Sequence, residues 1–365
     1  MKSKNSFFLL LTGIIFFSVS IHPVSAQTRV VKVNAVKTND YGVQYVLPKT
    51  QLEITVEYTQ NIQKAGPYAR FASRYLGINE SDVVLEDQTY YTLDRVFVTE
   101  KGIPNKEQSF LASFRARTTS PFVYLTEDGI ICAINTEYIP EKENLLAANP
   151  QLQPELPRIN PQSLFTEEYL RAGSVTRMAE VAAKNIYKIR ESRQDILTGE
   201  VDNMPKDGEA LRIVLSNLEA QEKIWTELFT GTTQSTKQTK RIIIDPVEEL
   251  NNEVLFRFSK FLGVVDADDL SGSPVYLNLR NLRTVEIPPA DPRRKAKEPE
   301  SIVYNIPGKA EIEIYNGVNK IYSTTVNVTQ FGTTQILATS LFDDRRAPVQ
   351  ILFYPTTGGI KSINQ

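Results

Sequence analysis

The chain has 365 residues, 41% hydrophobic and 23% charged, and its 41 basic and 43 acidic side chains leave a formal net charge of −2. That length is enough for two or three domains, and the near-balanced charge favours neither nucleic acid nor an anionic membrane surface as a partner. One histidine, His22, and one cysteine, Cys132, are present, which leaves little material for Ser-His-Asp or Cys-His hydrolysis or for the common zinc sites.

At the start, Lys2 and Lys4 precede an apolar run from Phe7 to Phe17, and Val24-Ser25-Ala26 offers small residues before Gln27. This pattern predicts a secretory signal over residues 1–26, cut between Ala26 and Gln27. Cleavage would remove His22, so the mature chain is expected to contain no histidine. No later stretch approaches the roughly 20 apolar residues of a membrane-spanning helix. The residue after the expected cut is not cysteine, so a lipid anchor is not expected there, and the protein should be exported to the periplasm or beyond. Cys132 cannot close an intrachain disulfide and sits in the apolar run GIICAI, where a free cysteine behaves as a small core hydrophobe.

Residues 27–137 read as an N-terminal β module. In QYVLPKTQLEITVEYT, Leu52, Ile54, Val56 and Tyr58 alternate after Pro48, which is the period of a half-buried strand. The segment closes on YLTEDGIICAIN, residues 124–135, where Gly129 supplies the positive φ of a hairpin turn. Five prolines from Pro140 to Pro161 make residues 138–162 an extended connection, since proline can neither continue a helix nor donate to a sheet.

Residues 163–232 read as two helices. Val175, Met178, Ala182, Ile186 and Ile189 fall at three- and four-residue steps, with Thr166 suited to start the helix and Gly199 to end it. Leu211, Val214, Leu218, Trp225 and Leu228 form a second stripe that stops before Gly231. A loop near MPKDG would join them into a long antiparallel hairpin, with Trp225 packed inside it rather than displayed for sugar stacking. Strands return in residues 233–289, in KRIIIDP, EVLFRFSKFLGVV and SPVYLNLR. Residues 290–300 form a charged loop whose basic cluster, Arg293 to Lys297, is flanked by acids and reads as solvated.

The last stretch, 301–365, repeats the first. Tyr304-Asn305-Ile306-Pro307 matches the frame of Tyr45-Val46-Leu47-Pro48, although the alternation that follows, at Ile312 and Ile314, is shifted by one residue. FYPTTGGIKSIN, residues 353–364, echoes YLTEDGIICAIN: Gly358 falls with Gly129, Ile360 with Ile131, Ile363 with Ile134 and Asn364 with Asn135. The expected fold is therefore α+β: two β-sandwich-like modules, related by duplication, bracketing the helical hairpin.

Chemical motifs are sparse. Neither Ser-x-x-Lys, Gly-x-Ser-x-Gly nor a glycine-rich phosphate loop occurs, so no catalytic residue and no cofactor is assigned. The densest acidic group, Asp266, Asp268 and Asp269, offers a weak calcium candidate, but the EF-hand frame wants glycine at Ser271 and an acid at Leu277. A polar turn is the simpler reading, because Asp bonds its own backbone there.

Four blocks, YVLPKTQLEITVEY, NIYKIRESRQDILTGE, QEKIWTELFTGTT and FYPTTGGIKSIN, together resemble an uncharacterised domain-of-unknown-function family of exported proteins from Gram-negative gut anaerobes. The resemblance implies export and a shared architecture, and no activity. It would place a basic residue inside the Tyr-x-Ile-Pro frame, where Asn305 stands. The sequence thus points to a non-enzymatic envelope or extracellular binding and assembly protein, its partner an envelope protein or glycan. The alternative is a carboxylate-dependent glycan hydrolase or lyase, which needs two facing acids, one of them with a raised pKa.

Overall fold

The computed structural model describes residues 29–32, 42–113, 122–140, 156–201, 208–287, 301–338, 341 and 348–364. The expected signal with its Ala26–Gln27 cut, the middle of the proline-rich connection and the charged loop at 290–300 lie outside those residues.

In chain order, β1 (Arg29–Lys32) leads into a long two-stranded ribbon of β2 (Val43–Lys64) and β3 (Gln88–Ser113), with α1 (Ala72–Leu76) in the connection between them. A small hairpin follows, β4 (Val123–Leu125) and β5 (Ile131–Ile134). Helices α2 (Glu167–Leu170), α3 (Val175–Thr198) and α4 (Gly208–Thr230) come next. Strands β6 (Thr232–Ile244), β7 (Leu250–Ser259), β8 (Gly263–Val265) and β9 (Ser273–Asn281) then precede a second ribbon, β10 (Val303–Asn316) and β11 (Asn319–Ile336). A closing hairpin, β12 (Gln350–Phe353) and β13 (Ile360–Asn364), ends the chain.

These strands form three antiparallel sheets, in the orders β1-β3-β2-β6, β11-β10-β9-β7-β8 and β13-β12-β5-β4. The first two face each other across a common core. Leu52, Ile54 and Val56 of β2 and Val96 of β3 meet Leu277 and Leu279 of β9 and Ile312 and Ile314 of β10. Each set alternates along its strand, so one face of each sheet is apolar, and burying each such side chain stabilises the fold by about 1.5–3 kcal/mol. The two terminal stretches thus contribute opposing sheets around a shared core, and the strands between them complete those sheets: β6 extends the first, and β7 to β9 extend the second.

β6 was only half visible as a strand. Its N-terminal part, TTQSTKQTK, has no apolar period because it is an edge strand exposed along most of its length. The lysines in it suit such an edge, which they keep from pairing with other chains.

A second core lies where the two ribbons end against the third sheet. Tyr45, Leu47 and Phe110 from the first ribbon and Val303 from the second pack on Ile131, Ile134, Ile351 and Phe353. Both echo hairpins sit in this third sheet, joined through Ile134 opposite Ile351 and Ala133 opposite Leu352. Cys132 is buried there in β5, where loss of water pushes its thiol up to about 11.

The helices gather at the far end of the first ribbon. Thr166 caps only the short α2; the chain breaks at Gly173, and Ser174 caps α3 anew by accepting the Arg177 N–H. Gly199 ends α3 with φ 78°. Trp225 is 2% exposed and lies edge-on to Tyr169, in a core with Tyr68, Ile186 and Phe229. Glu222 of α4 bonds both Arg190 and Arg193 of α3, at 2.6 and 3.0 Å.

Candidate functional site

The two Tyr-x-aliphatic-Pro frames are structurally matched. In the first ribbon, pairing jumps from Val46–Ser109 to Pro48–Pro104; in the second it jumps from Ile306–Thr333 to Gly308–Val328. Each proline therefore sits at a bulge, where its missing N–H is not needed. Regular pairing resumes at Pro48 in the first ribbon and one residue past Pro307, at Gly308, in the second. That offset accounts for the one-residue shift in the alternation that follows.

The echo turns dock on these frames in the same way. Gly129, at φ 80°, offers its carbonyl to the Val46 N–H at 2.9 Å. Gly358, at φ 68°, offers its carbonyl to the Asn305 N–H at 3.1 Å. In each turn the residue that opens it donates to the carbonyl just past the glycine, Thr126 to Ile130 and Tyr354 to Gly359, both at 2.8 Å.

What surrounds the turns differs. Beside the first, the side chains are closed off: Tyr45, Leu47 and Ile131 are at most 1% exposed, and the Tyr45 hydroxyl is held by the Val303 N–H at 2.9 Å. Burial pushes that phenol well above its ordinary range. At the second turn the matching Tyr304, Ile306 and Ile360 are only half-buried, and they border a cavity of 590 Å³.

The cavity's polar lining comes from four elements: Glu100 of β3, Tyr304 and Asn305 of β10, Asn327 of β11, and Tyr354, Thr356 and Thr357 of the closing turn. Asn305 holds the turn in place, donating from its amide to the Pro48 and Thr357 carbonyls, each at 2.8 Å. A valine in that position, as in the first frame, could make neither bond. The turn also lies directly on β3, because a Cβ on Gly102 would come within 2.2 Å of the Pro355 carbonyl oxygen.

Glu100 stands on the inward face of β3, two residues beyond Val98 and opposite Leu52. It is thus a carboxylate in a core-facing position at the point where the core opens. The Asn327 N–H donates to its Oε1 at 2.9 Å. Burial raises its pKa above the ordinary carboxylate value, and the bonds from Asn327 only partly oppose that. Sequence reasoning did not single it out, although VFVTEKG carries the signal: on the parity of Val96 and Val98, an acid occupies the next apolar position.

The other acidic groups are differently placed. Asp266 pairs with Lys240 at 2.7 Å, the Asp269 carboxylate accepts the Ser271 N–H at 2.9 Å, and the Asp269 N–H bonds the Asp266 carbonyl. They form a polar turn between β8 and β9, and Ser271 holds Asp269 below the usual carboxylate range. Among the described residues, no group of three His, Cys, Asp or Glu side chains is placed to hold a metal. A second depression of 510 Å³ on the outer face of the β9–β10 region is lined by Glu249, Arg280, Glu311 and Glu313. Its acids are engaged: Glu311 by Arg280, Glu313 by Lys320 and Tyr315, and Glu249 by the Asn281 N–H. The Lys320 bond holds Glu313 below the ordinary carboxylate range.

Fold and cavity together define a mixed α and β protein of antiparallel sheets with an open, polar-lined groove at the end of its core. The chain belongs to the family described as a domain of unknown function, DUF4831, whose family model matches residues 41–361. No curated protein and no solved structure matches it. No helix among the described residues is long and apolar enough to cross a membrane.

Proposed function

We propose that this is an exported, non-enzymatic binding protein that takes its ligand in the groove bounded by Glu100, Tyr304 and Tyr354. Export rests on the basic, apolar and small-residue pattern of residues 1–26. In this reading a β unit is duplicated, its first copy serving as scaffold and its second as binding site, and α3 and α4 act as an antiparallel hairpin presented to an envelope protein or glycan. The observation that carries the reading is the contrast beside the two docked turns: the same backbone bonds lie next to fully buried side chains in one and next to a cavity in the other. Ligand sites of this kind combine an apolar wall with a few placed polar groups.

The glycan hydrolase or lyase remains the second reading, and the raised pKa of Glu100 is what favours it. A hydrolase of the usual kind needs a second carboxylate within roughly 5–10 Å across the cleft. Glu100 is the single acid among the described residues lining this cavity. The test is incubation of the purified protein with cell-wall, plant and host glycans from about pH 4 to about pH 8, the span over which carboxylates titrate. The binding reading expects glycan or envelope protein to be retained without release of reducing ends or unsaturated products. Release that Glu100→Gln abolishes would replace it with the enzymatic one.

A further inference from the structure

Building on the groove as a binding site, we infer that its ligand carries a positively charged ammonium group, seated at the Glu100 carboxylate beside the Tyr304 ring. Three observations support this. First, Glu100 is uncompensated. On the strands around it Glu53 pairs with Lys101, Glu57 with Arg95 and Asp245 with Lys49. Glu100 has no ion pair among the described residues and is held only by Asn327. A carboxylate partly withdrawn from water without a counter-charge gains more from an incoming cation than an exposed one does.

Second, the lining has no basic side chain among the described residues, so it offers no counter-charge to an anionic ligand. Third, Tyr304 presents an aromatic ring, whose face is negative and attracts ammonium groups. The Tyr354 ring already accepts one: the Lys361 ammonium lies 5.6 Å from its centroid. The groups around Glu100 are then Asn327 from β11, Tyr304 from β10, and Tyr354 with Lys361 stacked on it from the closing hairpin. Since Lys361 repels a second cation, the ligand's charge belongs at the Glu100 end of the cavity. The amide oxygen of Asn305 and the Thr356 hydroxyl are placed to receive N–H or O–H groups on the rest of it.

The experiment uses pairs of probes alike in shape and different in charge: choline with 3,3-dimethylbutan-1-ol, and glucosamine with N-acetylglucosamine. Each is titrated into the isotopically labelled protein while the backbone amides of Asn327 and Gly359 are followed by NMR. The cation of each pair should shift both amides and bind at least tenfold tighter than its neutral partner. Glu100→Gln should remove at least tenfold of that affinity while leaving the rest of the spectrum unchanged. Choline binding to the unaltered protein should weaken as pH falls, starting above the ordinary carboxylate range, because protonation of Glu100 removes the charge. Equal or stronger binding of the neutral probes at the same amides would overturn the ammonium assignment and leave the groove as a site. No shift at either amide with any probe would overturn both.

Discussion

The two glycine turns at 126–129 and 354–358 do the same structural work in different surroundings. Each lays a glycine carbonyl against the second residue of a Tyr-x-aliphatic-Pro frame, and each sits at the end of a bulged ribbon. Beside Gly129, Leu47 and Ile131 are fully buried, while Val46 and the glycine itself are half-buried. Gly358 and Asn305 are buried, while Tyr304, Ile306 and Ile360 beside them are half-buried and border the cavity. The contrast lies in the side chains beside the turns: next to the first, Tyr45, Leu47 and Ile131 are closed off, next to the second they leave room beside Glu100, and Asn305 stands where the first frame has Val46.

Matched substitutions can break this comparison, and the largest effect is expected in the side chains nearest the turns. Ile131→Ala removes a side chain with 0% exposure and should cost 2–5 kcal/mol in chemical denaturation, roughly the range for emptying a well-packed site. Ile360→Ala, at a half-buried position bordering the cavity, should cost less than half as much. Equal losses would mean the two sites are packed alike. Next come the glycines. Ala at either position meets the left-handed penalty of about 1–2 kcal/mol. At Gly129 the new Cβ would stand 3.3 Å from a Val46 methyl group, whereas at Gly358 it would stand 2.7 Å from Pro48 Cδ. Gly358→Ala should therefore lower the melting temperature more than Gly129→Ala, and it should also disturb the groove.

A smaller effect separates the two frame tyrosines. Tyr45→Phe leaves the buried Val303 N–H without its acceptor and should cost about 1–3 kcal/mol. Tyr304→Phe loses only an exposed bond to Gln335 and should stay within about 0.5 kcal/mol of the parent. The smallest effect is at Glu100. Its folded pKa is raised by burial, so the folded state holds the proton more tightly than the unfolded one. Stability from this group is full below the ordinary carboxylate value near 4.3 and is lost as pH rises through the raised value. Glu100→Gln should flatten that part of the stability profile and leave the protein slightly more stable at pH 7, by less than about 0.5 kcal/mol. A profile that keeps its slope would show that Glu100 does not titrate in this window.

Much of the local structure was legible in the sequence. The helix stops at Gly199 and Gly231, the packing of Trp225, the alternation of Leu52 to Val56 and the glycine of each echo turn all follow from rules that act over a few residues. The arrangement of the sheets was not legible, because strand pairing across two hundred residues leaves no local mark. Ile134 and Ile351 give no sign in sequence that they are neighbours. The polar half of β6 was hidden by its exposure, and the α2–α3 break at Gly173 by the continuous apolar spacing around it. Glu100 could be recognised only once the register of β3 was known, since an acid in a strand is ordinary until it faces the core. The Asp266 cluster drew notice for its density, yet its groups are spent on Lys240 and on their own turn.

The central proposal is that the groove beside the second turn binds a ligand and the region beside the first does not. The most direct measurement places a photo-crosslinking amino acid at Tyr354 in one variant and at the matching Thr126 in another, illuminates each in its native cells, and identifies what is attached. The account predicts a reproducible adduct from position 354, lost on competition with an ammonium-bearing ligand, and none above background from position 126. Equal labelling at both positions, or labelling at 126 alone, would contradict it.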